Sequence, residues 1–296
     1  MVTRAAGVAQ GLLVDRVLGE PPAAAHPVAA FGALMARIEA QIYRDDRAAG
    51  LLYATAGVAT GALAGRVVRR TDAAVAIAAA GRGLRAAAAR VRDALLAEDL
   101  DRARALVPAL VGRDPDDLDA SDLASATIES LAENTVDAVV APALWGLAGG
   151  ASGALAYRAV NTMDAMVGHR SERYERFGWA AAHLDDVANF LPARATALLV
   201  VCVRPSAASA VRRAVTEHAP AHPSPNAGVA EAAFAAALGR ELGGPLRYGG
   251  RRENRPRLGW GPRPQAGDVD AAITLASHVE LALIVMCAAL PCLRRS

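Results

Sequence analysis

Long apolar segments place the strongest constraint on how this chain of 296 residues can fold. Residues 48–65 form an uncharged run of about 18 residues, close to the length that an α-helix needs to cross a bilayer. Arg66 follows this run at once, as the positively charged anchor of a membrane helix would. Residues 190–203 and 271–290 are two further apolar segments. Together the segments predict a membrane protein with three or four spanning helices.

The composition predicts that the segments are helical. Hydrophobic residues make up 53% of the chain but aromatic residues only 4%, because alanine supplies much of the apolar content. Alanine is the strongest helix former, and runs of β-branched residues are few. We therefore predict an all-α, polytopic membrane helical bundle in one domain over residues 1–296. A polar region rich in proline and glycine, at about 205–268, is predicted to be loops with one helix near 228–241. Because alanine is almost neutral toward a bilayer, a soluble helical bundle remains an alternative.

Charge and cysteine content exclude several functional classes. The formal net charge of +2 does not predict a nucleic-acid-binding surface, so no nucleic-acid partner is expected. The sequence contains no lysine, which excludes a P-loop lysine or a Schiff-base lysine. Any phosphate must therefore be bound by arginine, backbone amides or a metal ion. Cys202, Cys287 and Cys292 lack the spacing of metal ligands and are predicted to be free thiols.

A short acidic motif occurs twice around an apolar stretch. Asn-Thr-Val-Asp at 134–137 and Asn-Thr-Met-Asp at 161–164 flank the almost uncharged residues 138–157. Glycines at 149–153 interrupt that stretch, so each arm has about 11 residues and is too short to span a bilayer. We predict a re-entrant helical hairpin that brings both acidic motifs to one face. A full crossing, or two helix caps that happen to share residues, are the alternatives.

Carboxylates next to this hairpin indicate a binding site for a cation. Glu129, Glu133 and Asp137 are spaced i, i+4 and i+8, so they share one face of a helix. Carboxylates in such an arrangement repel each other unless a cation or an arginine lies among them. Oxygen ligands alone favour Mg²⁺ over zinc. The alternative is an ordinary solvated helix face.

Residues 168–194 are the densest polar region of the chain, and arginines there lie near carboxylates. This pattern suits a phosphate or carboxylate ligand bound beside a metal ion, although an ion-paired helix at the membrane surface would have the same composition. The candidates in this region are Arg173, Asp185, Asp186, Asn189 and Arg194.

Small residues precede the helix predicted near residue 228. The segment Ser-Pro-Asn-Ala-Gly at 224–228 can present backbone amides to an anion at a helix N-terminus. This is a weak phosphate-binding signal, because the segment lacks the spacing and the lysine of a P-loop. Ser224, Asn226 and Tyr248, which lies in the glycine-rich stretch that follows, are the candidates here.

Several motifs are spread along nearly the whole chain. They are Leu-Val-Asp-Arg-Val-Leu-Gly-Glu-Pro-Pro at 13–22 with His-Pro at 26–27, Ser-Leu-Ala-Glu-Asn-Thr-Val-Asp at 130–137, Ala-Tyr-Arg-Ala-Val-Asn-Thr-Met-Asp at 156–164, Glu-Arg-Tyr at 172–174 through Leu-Asp-Asp-Val-Ala-Asn at 184–189, and Ser-Pro-Asn-Ala-Gly at 224–228. In this order the motifs resemble the CobD/CbiB family of cobalamin biosynthesis, adenosylcobinamide-phosphate synthase. One difference is Ala138, where the family usually has a glycine.

The resemblance implies a multi-pass enzyme of the cell (inner) membrane that forms an amide bond with ATP. It would join a carboxylate of the corrinoid adenosylcobyric acid to (R)-1-aminopropan-2-ol or its O-phosphate. Its partners would be these two substrates and the lipid bilayer, and a homo-oligomer is compatible with the family. ATP and Mg²⁺ would be the cofactors.

The resemblance marks positions, and the role of each residue is our assignment. We assign Glu133, Asp137 and Asp164 to Mg²⁺. We assign catalysis to Asp185, Asp186 and Glu133, with one of the two aspartates accepting a proton from the incoming ammonium. Substrate or phosphate binding is assigned to Arg173, Arg194, Asn189, Ser224, Asn226 and Tyr248.

Two other functions remain open from the sequence. A small-solute membrane transporter would also suit a bundle with a broken helix pair, and it would move substrate without ligation. A non-catalytic membrane sensor of related fold would tolerate loss of the acidic residues.

Overall fold

The computed structural model describes residues 2–22, 25–111, 115–169, 171–248 and 251–293. The α-helices are α1 (Val2–Leu18), α2 (Pro27–Ile42), α3 (Arg47–Val68), α4 (Thr71–Ala78), α5 (Gly81–Leu96), α6 (Leu100–Leu106), α7 (Ala120–Thr135), α8 (Ala141–Met163), α9 (Trp179–Val203), α10 (Ala208–Glu217), α11 (Ala227–Leu238) and α12 (Ala266–Leu293). Two π-helical segments, Val136–Val140 and Asp164–Gly168, adjoin α8. Short 3₁₀ turns lie at Val107–Ala109, Pro205–Ala207 and Ala219–Ala221.

A single antiparallel hairpin supplies the strands of the described chain. β1 (Glu241–Tyr248) pairs with β2 (Arg251–Gly259). The predicted all-α class is confirmed apart from this hairpin. The expectation of loops with a single helix over 205–268 is wrong, because α10 and the hairpin occupy further parts of that region. Proline and glycine are rare inside strands. Because β1 and β2 contain both, the sequence did not predict the hairpin.

Among the residues that the structure describes, four helical stretches are long and apolar enough to cross a membrane. They are Arg47–Val68, Ala120–Gly168, Trp179–Val203 and Ala266–Leu290. These stretches contain the three apolar segments and the hairpin region that the sequence singled out, so the expected polytopic membrane bundle is confirmed at this level.

The chain divides into two compact units, and the prediction of one domain stays a prediction. The first unit comprises Met1–Arg82, Asp137–Pro192 and Leu283–Ser296. The second unit comprises Gly83–Val136 and Ala193–Ala282. Each unit contains its own group of polar residues.

The chain reverses direction within α8 of the first unit. Gly150 has φ 62° and ψ −144°, a conformation that interrupts the helix and that side chains rarely tolerate. Beyond it, a Cβ at Gly153 would lie 2.2 Å from the carbonyl oxygen of Trp145, so the two arms are in backbone contact. The Tyr157 hydroxyl lies 3.3 Å from Asp137, whereas 20 residues of straight helix would separate them by about 30 Å. The predicted helical hairpin is confirmed, with its turn at Gly150.

Helix α3 packs along the second arm of this hairpin through glycines. A Cβ at Gly61 would lie 2.6 Å from the carbonyl oxygen of Leu155, and one at Gly65 would lie 2.3 Å from Cα of Ser152. The Ser152 hydroxyl donates a hydrogen bond of 3.0 Å to the carbonyl oxygen of Ala62. The absent side chains allow the helix backbones to touch, which places the second arm firmly.

In the second unit, α11 is almost entirely buried and shorter than predicted. Residues 227–236 are buried, and Gly239 ends the helix in the left-handed conformation with φ 63°. The predicted helix near 228–241 therefore spans Ala227–Leu238. A helix buried on all sides suits the uniformly apolar, alanine-rich sequence of this segment.

Candidate functional site

Two carboxylates and two amides form a closed hydrogen-bonded group in the first unit. Nδ2 of Asn189 donates to Oδ1 of Asp137 and to Oδ2 of Asp185, each at 3.0 Å. Nδ2 of Asn161 donates to Oδ2 of Asp137 at 3.1 Å and to Oδ1 of Asp185 at 3.4 Å. Each amide thus bridges both carboxylates. We call these four residues, with Tyr157, the carboxylate–amide cluster.

Tyr157 is the buried member of the cluster that orients Asn189. Its hydroxyl donates to Oδ1 of Asn189 at 2.9 Å and lies 3.3 Å from Oδ1 of Asp137. Tyr157 and Asn189 are only 2% and 3% exposed, whereas Asp137 and Asp185 are half-buried. Buried neutral donors therefore fix the orientation of two carboxylates that remain partly accessible. Side chains held in this way are preorganised for binding or catalysis.

The repeated sequence motif is also a structural repeat. Thr135 and Thr162 each donate a side-chain hydrogen bond to the carbonyl four residues earlier, at 2.6 and 2.7 Å. A π-helical segment begins within each motif, and it contains Asp137 in the first case and Asp164 in the second. Single π-helical turns inside α-helices are rare and occur frequently at functional sites.

Two further aspartates lie within electrostatic range of the cluster. The Asp164 carboxylate interacts with the charges of Asp185 and Asp186, and Asp185 interacts with Asp137. Gly168 makes room for Asp164, because a Cβ at Gly168 would lie 1.8 Å from Oδ1 of that aspartate. These interactions connect four aspartates of the first unit, which are Asp137, Asp164, Asp185 and Asp186.

The oxygen chemistry of this group suits Mg²⁺. Magnesium is usually bound by one or two protein carboxylates together with waters and substrate phosphates. Within the described residues, no set of three or more His, Cys, Asp or Glu side chains is placed to hold a metal ion. Glu133 is exposed and belongs to the second unit, whereas Asp137 and Asp164 belong to the first. The metal and catalytic assignment of Glu133, and the metal assignments of Asp137 and Asp164, stay predictions.

Arg173 has an ion-pair partner that the sequence did not indicate. Its Nη2 lies 3.0 Å from Oε1 of Glu39, and its guanidinium lies 4.1 Å from the centre of the Tyr43 ring. The Tyr174 hydroxyl donates to the same Glu39 oxygen at 2.9 Å. The hydrogen bond to Glu39 raises the pKa of Arg173 above its ordinary value. The structure thus shows Arg173 fastening its loop to α2, and its assignment to phosphate stays a prediction.

The second unit contains a buried acidic group of a different kind. Glu129 on α7 is 6% exposed, and its Oε1 accepts hydrogen bonds from the Ser125 hydroxyl at 2.7 Å and the Gly243 backbone amide at 2.9 Å. Glu231 on α11 is 4% exposed. We call Glu129, Glu231, His222 and Arg255 the glutamate–histidine cluster.

His222 links the cationic and anionic members of the glutamate–histidine cluster. Nε2 of His222 lies 2.9 Å from Nη1 of Arg255 and 3.6 Å from Oε2 of Glu231. Because arginine can only donate, Nε2 accepts from Arg255. Nδ1 lies 3.2 Å from the carbonyl oxygen and 3.1 Å from the backbone nitrogen of Ser224. Burial lowers the pKa of His222, and the nearby charge of Arg255 acts in the same direction.

Three of the residues predicted to bind substrate or phosphate come together beside α11. Nη1 of Arg194 donates to Oδ1 of Asn226 at 2.8 Å. The Ser224 hydroxyl accepts from the backbone amides of Asn226 and Ala227, at 3.3 and 3.1 Å. The side chain of Tyr248 lies outside the described residues. The binding roles of all four stay predictions.

Sequence reasoning did not assign Tyr157 and Asn161 to the site. Asn161 occupies the position in the second motif that Asn134 occupies in the first, so the repeat itself carried a signal. Tyr157 precedes Asn161 by one helical turn and therefore shares its face. Asn189 bridges the two carboxylates in the structure, and its assignment to substrate binding stays a prediction.

Comparisons with known proteins match one family along nearly the whole chain. The family model described as "CobD/Cbib protein" matches residues 8–276. A Mycobacterium tuberculosis protein named "Cobalamin biosynthesis protein CobD" is 44% identical, with 99% of this chain and 97% of that protein aligned. Proteins of the same name are 43% identical in Chromobacterium violaceum, over 90% of each chain, and 40% identical in Rhodobacter capsulatus, over 88% of this chain and 89% of that protein. No solved structure matches the chain.

Proposed function

The chain belongs to the CobD/Cbib family of cobalamin biosynthesis, and from this premise we propose that it is an ATP-dependent, amide-forming ligase of the cell membrane. The acid is adenosylcobyric acid and the amine is (R)-1-aminopropan-2-ol or its O-phosphate. The product is adenosylcobinamide or adenosylcobinamide phosphate.

The reaction requires activation of an unreactive carboxylate. A carboxylate oxygen of the corrinoid attacks a phosphorus atom of ATP, and ADP or pyrophosphate leaves. The amine nitrogen then attacks the resulting acyl phosphate or acyl adenylate and loses a proton. The bond between the acyl carbon and the phosphoryl oxygen breaks, and phosphate or AMP leaves with the bonding electrons. Phosphoryl transfer of this kind depends mainly on positioning and charge neutralisation.

The carboxylate–amide cluster is the single observation that carries this proposal. Both oxygens of Asp185 accept hydrogen bonds from amides, so its carboxylate keeps one orientation. Asp185, or its half-buried neighbour Asp186, accepts the proton that the ammonium must lose before its nitrogen can attack. Asp137 and Asp164 place further negative charge beside them. Mg²⁺, when bound by Asp137 and Asp164, supplies the positive charge that neutralises the phosphates.

The remaining assignments follow the same chemistry. Arg194, with Ser224 and Asn226 at the start of α11, is proposed to bind an anionic group of a substrate. We propose that the protein resides in the cell (inner) membrane with the lipid bilayer as its partner, and the length and apolar composition of its helices support this. A homo-oligomer is compatible with this arrangement.

The test uses the purified protein in detergent. It is incubated with adenosylcobyric acid, Mg-ATP and either aminopropanol or its O-phosphate, and the products are analysed by mass spectrometry. We expect a corrinoid heavier by the amine minus one water, and either ADP or AMP in equal amount. Reactions with a non-hydrolysable ATP analogue should give no product. Absence of the amide product with ATP and both amines, from protein that is folded, would exclude the ligase.

A further inference from the structure

Arg158 of α8 lies beside the carboxylate–amide cluster with most of its hydrogen-bond donors unused. Nη1 donates to Oδ1 of Asn161 at 3.3 Å, and Nε is buried without a partner. Within the described part of the chain, the guanidinium makes this one hydrogen bond and no ion pair. Its charge nevertheless acts on the hydroxyl of Tyr157.

This is an unusual environment for a half-buried arginine. A guanidinium is always charged and carries five donors, so burial without partners is costly. Arg85, also partly buried, lies 2.8 Å from a carboxylate oxygen of Glu280. Arg158 has carboxylates in its own neighbourhood but contacts a neutral amide. Asn161 and Asn189 already occupy the oxygens of Asp137 and Asp185 that an arginine would otherwise contact.

Asn161 couples Arg158 to the acidic residues by direct contacts. Its amide nitrogen donates to Asp137 and Asp185, while its oxygen accepts from Arg158. One side chain therefore fixes the separation between the guanidinium and the two carboxylates. An anion bound by Arg158 would be delivered next to the proposed base.

We propose that Arg158 binds a phosphoryl group of a substrate, a role that rests on the ligase function proposed above. A phosphoryl group near several carboxylates requires positive charge to offset repulsion, and the planar guanidinium offers paired donors that match its oxygens. ATP and the O-phosphate of aminopropanol present the same chemistry. The experiment distinguishes these two sources.

Kinetics of Arg158→Gln test the proposal. Loss of a charge-assisted contact should weaken binding of the phosphoryl group by a factor of about 10 to 100. If the group belongs to ATP, KM for ATP rises by that factor with both amines. If it belongs to the amine, KM for aminopropanol O-phosphate rises by that factor while the kinetics with aminopropanol itself are unchanged. Arg158→Lys keeps the charge and should recover part of the loss.

Binding measurements separate this role from a structural one and from failure of the proposed function. Calorimetric titration measures affinity for a non-hydrolysable ATP analogue and for aminopropanol O-phosphate, and thermal unfolding measures stability. Arg37→Gln removes an exposed arginine of the same unit and should change neither affinity nor KM. We expect Arg158→Gln to lower the affinity for one of the two ligands, and Arg37→Gln to leave both affinities unchanged. Unchanged affinity and KM for both ligands would overturn the proposal. If the wild type forms no product, the ligase function fails, and the affinities still decide whether Arg158 binds a phosphoryl group.

Discussion

The two units stabilise their acidic side chains with different partners. The first unit does so in the carboxylate–amide cluster and the second in the glutamate–histidine cluster. In the first, the neutral amides of Asn161 and Asn189 donate to both Asp137 and Asp185. In the second, Glu129 accepts from a hydroxyl and a backbone amide, and Glu231 lies near a histidine that contacts Arg255.

The difference supports the proposal that the first cluster performs the chemistry. The neutral amides that donate to Asp185 orient its carboxylate without cancelling its charge, so this carboxylate remains able to attract a cation or a proton. A backbone amide, a hydroxyl, an imidazole and a guanidinium around buried glutamates form a network that ties α7, β1 and α11 together. Buried networks of that kind specify structure, and breaking one partner is costly.

The largest expected effect comes from neutralising the first cluster. In Asp137→Asn or Asp185→Asn, one acceptor oxygen becomes an amide donor that faces an existing donor, and the negative charge is lost. We expect product formation to fall by at least about 100-fold, because a proton acceptor or cation ligand is removed. Stability should fall by only about 1–2 kcal/mol, the cost of one or two lost hydrogen bonds. Turnover and thermal unfolding measure the two effects.

Asp45→Asn is the matched control, because it neutralises an exposed aspartate of the same unit. It should leave turnover within about twofold of the wild type, since exposed ion pairs contribute little. Wild-type turnover in Asp137→Asn and Asp185→Asn would remove the functional distinction between the two clusters.

The second cluster should respond in stability and not in turnover. Glu129→Ala leaves the Ser125 hydroxyl and the Gly243 amide without their acceptor, at about 1–3 kcal/mol for each buried donor. Glu129→Gln retains an acceptor oxygen and should cost clearly less. Denaturant unfolding measures both variants, with turnover expressed per folded molecule. A folded Glu129→Gln protein without turnover would show that this cluster is catalytic after all.

The smallest effect is a pH dependence of stability from His222. Its pKa is lowered in the folded protein, so the unfolded chain binds a proton first as the pH falls below about 6.5. The free energy of unfolding should therefore decrease as the pH falls from about 6.5 to the folded pKa, by at most about 1.4 kcal/mol per pH unit. Above about pH 6.5, His222 should not change the free energy of unfolding.

His222→Gln should flatten this slope, and His183→Gln, which removes an exposed histidine, should preserve it. Thermal unfolding between about pH 5 and 7.5 measures the slopes. An unchanged slope in His222→Gln would mean that the buried histidine does not titrate with unfolding.

The fold was predictable where local composition determines it. The glycines at 149–153 and the short apolar arms predicted the hairpin, because arm length and backbone freedom are local properties. The strands around Pro245 and Pro256 were missed although they are adjacent in sequence, because proline and glycine are rare inside strands.

The site was predictable only in its charged residues. Asp137 and Asp185 stood out because acids are rare beside apolar segments. Tyr157 and Asn161 carry no charge, and their roles arise from contacts with residues 20 to 32 positions away in the sequence. The partner of Arg173, Glu39, is 134 positions away, and nothing in either local sequence indicates the other.

The glycine-lined face of α3 bears on the order in which the molecule is built. Gly57, Gly61 and Gly65 approach Met163, Leu155 and Ser152, so α3 aligns the whole arm that carries Tyr157 and Asn161. In lipid, apolar burial does not drive helices together, and close backbone packing takes its place. α3 and the hairpin can therefore enter the membrane as separate pieces and dock there by shape. On that sequence of events, the arm that carries Tyr157 and Asn161 is fixed in its final position only when α3 docks against it.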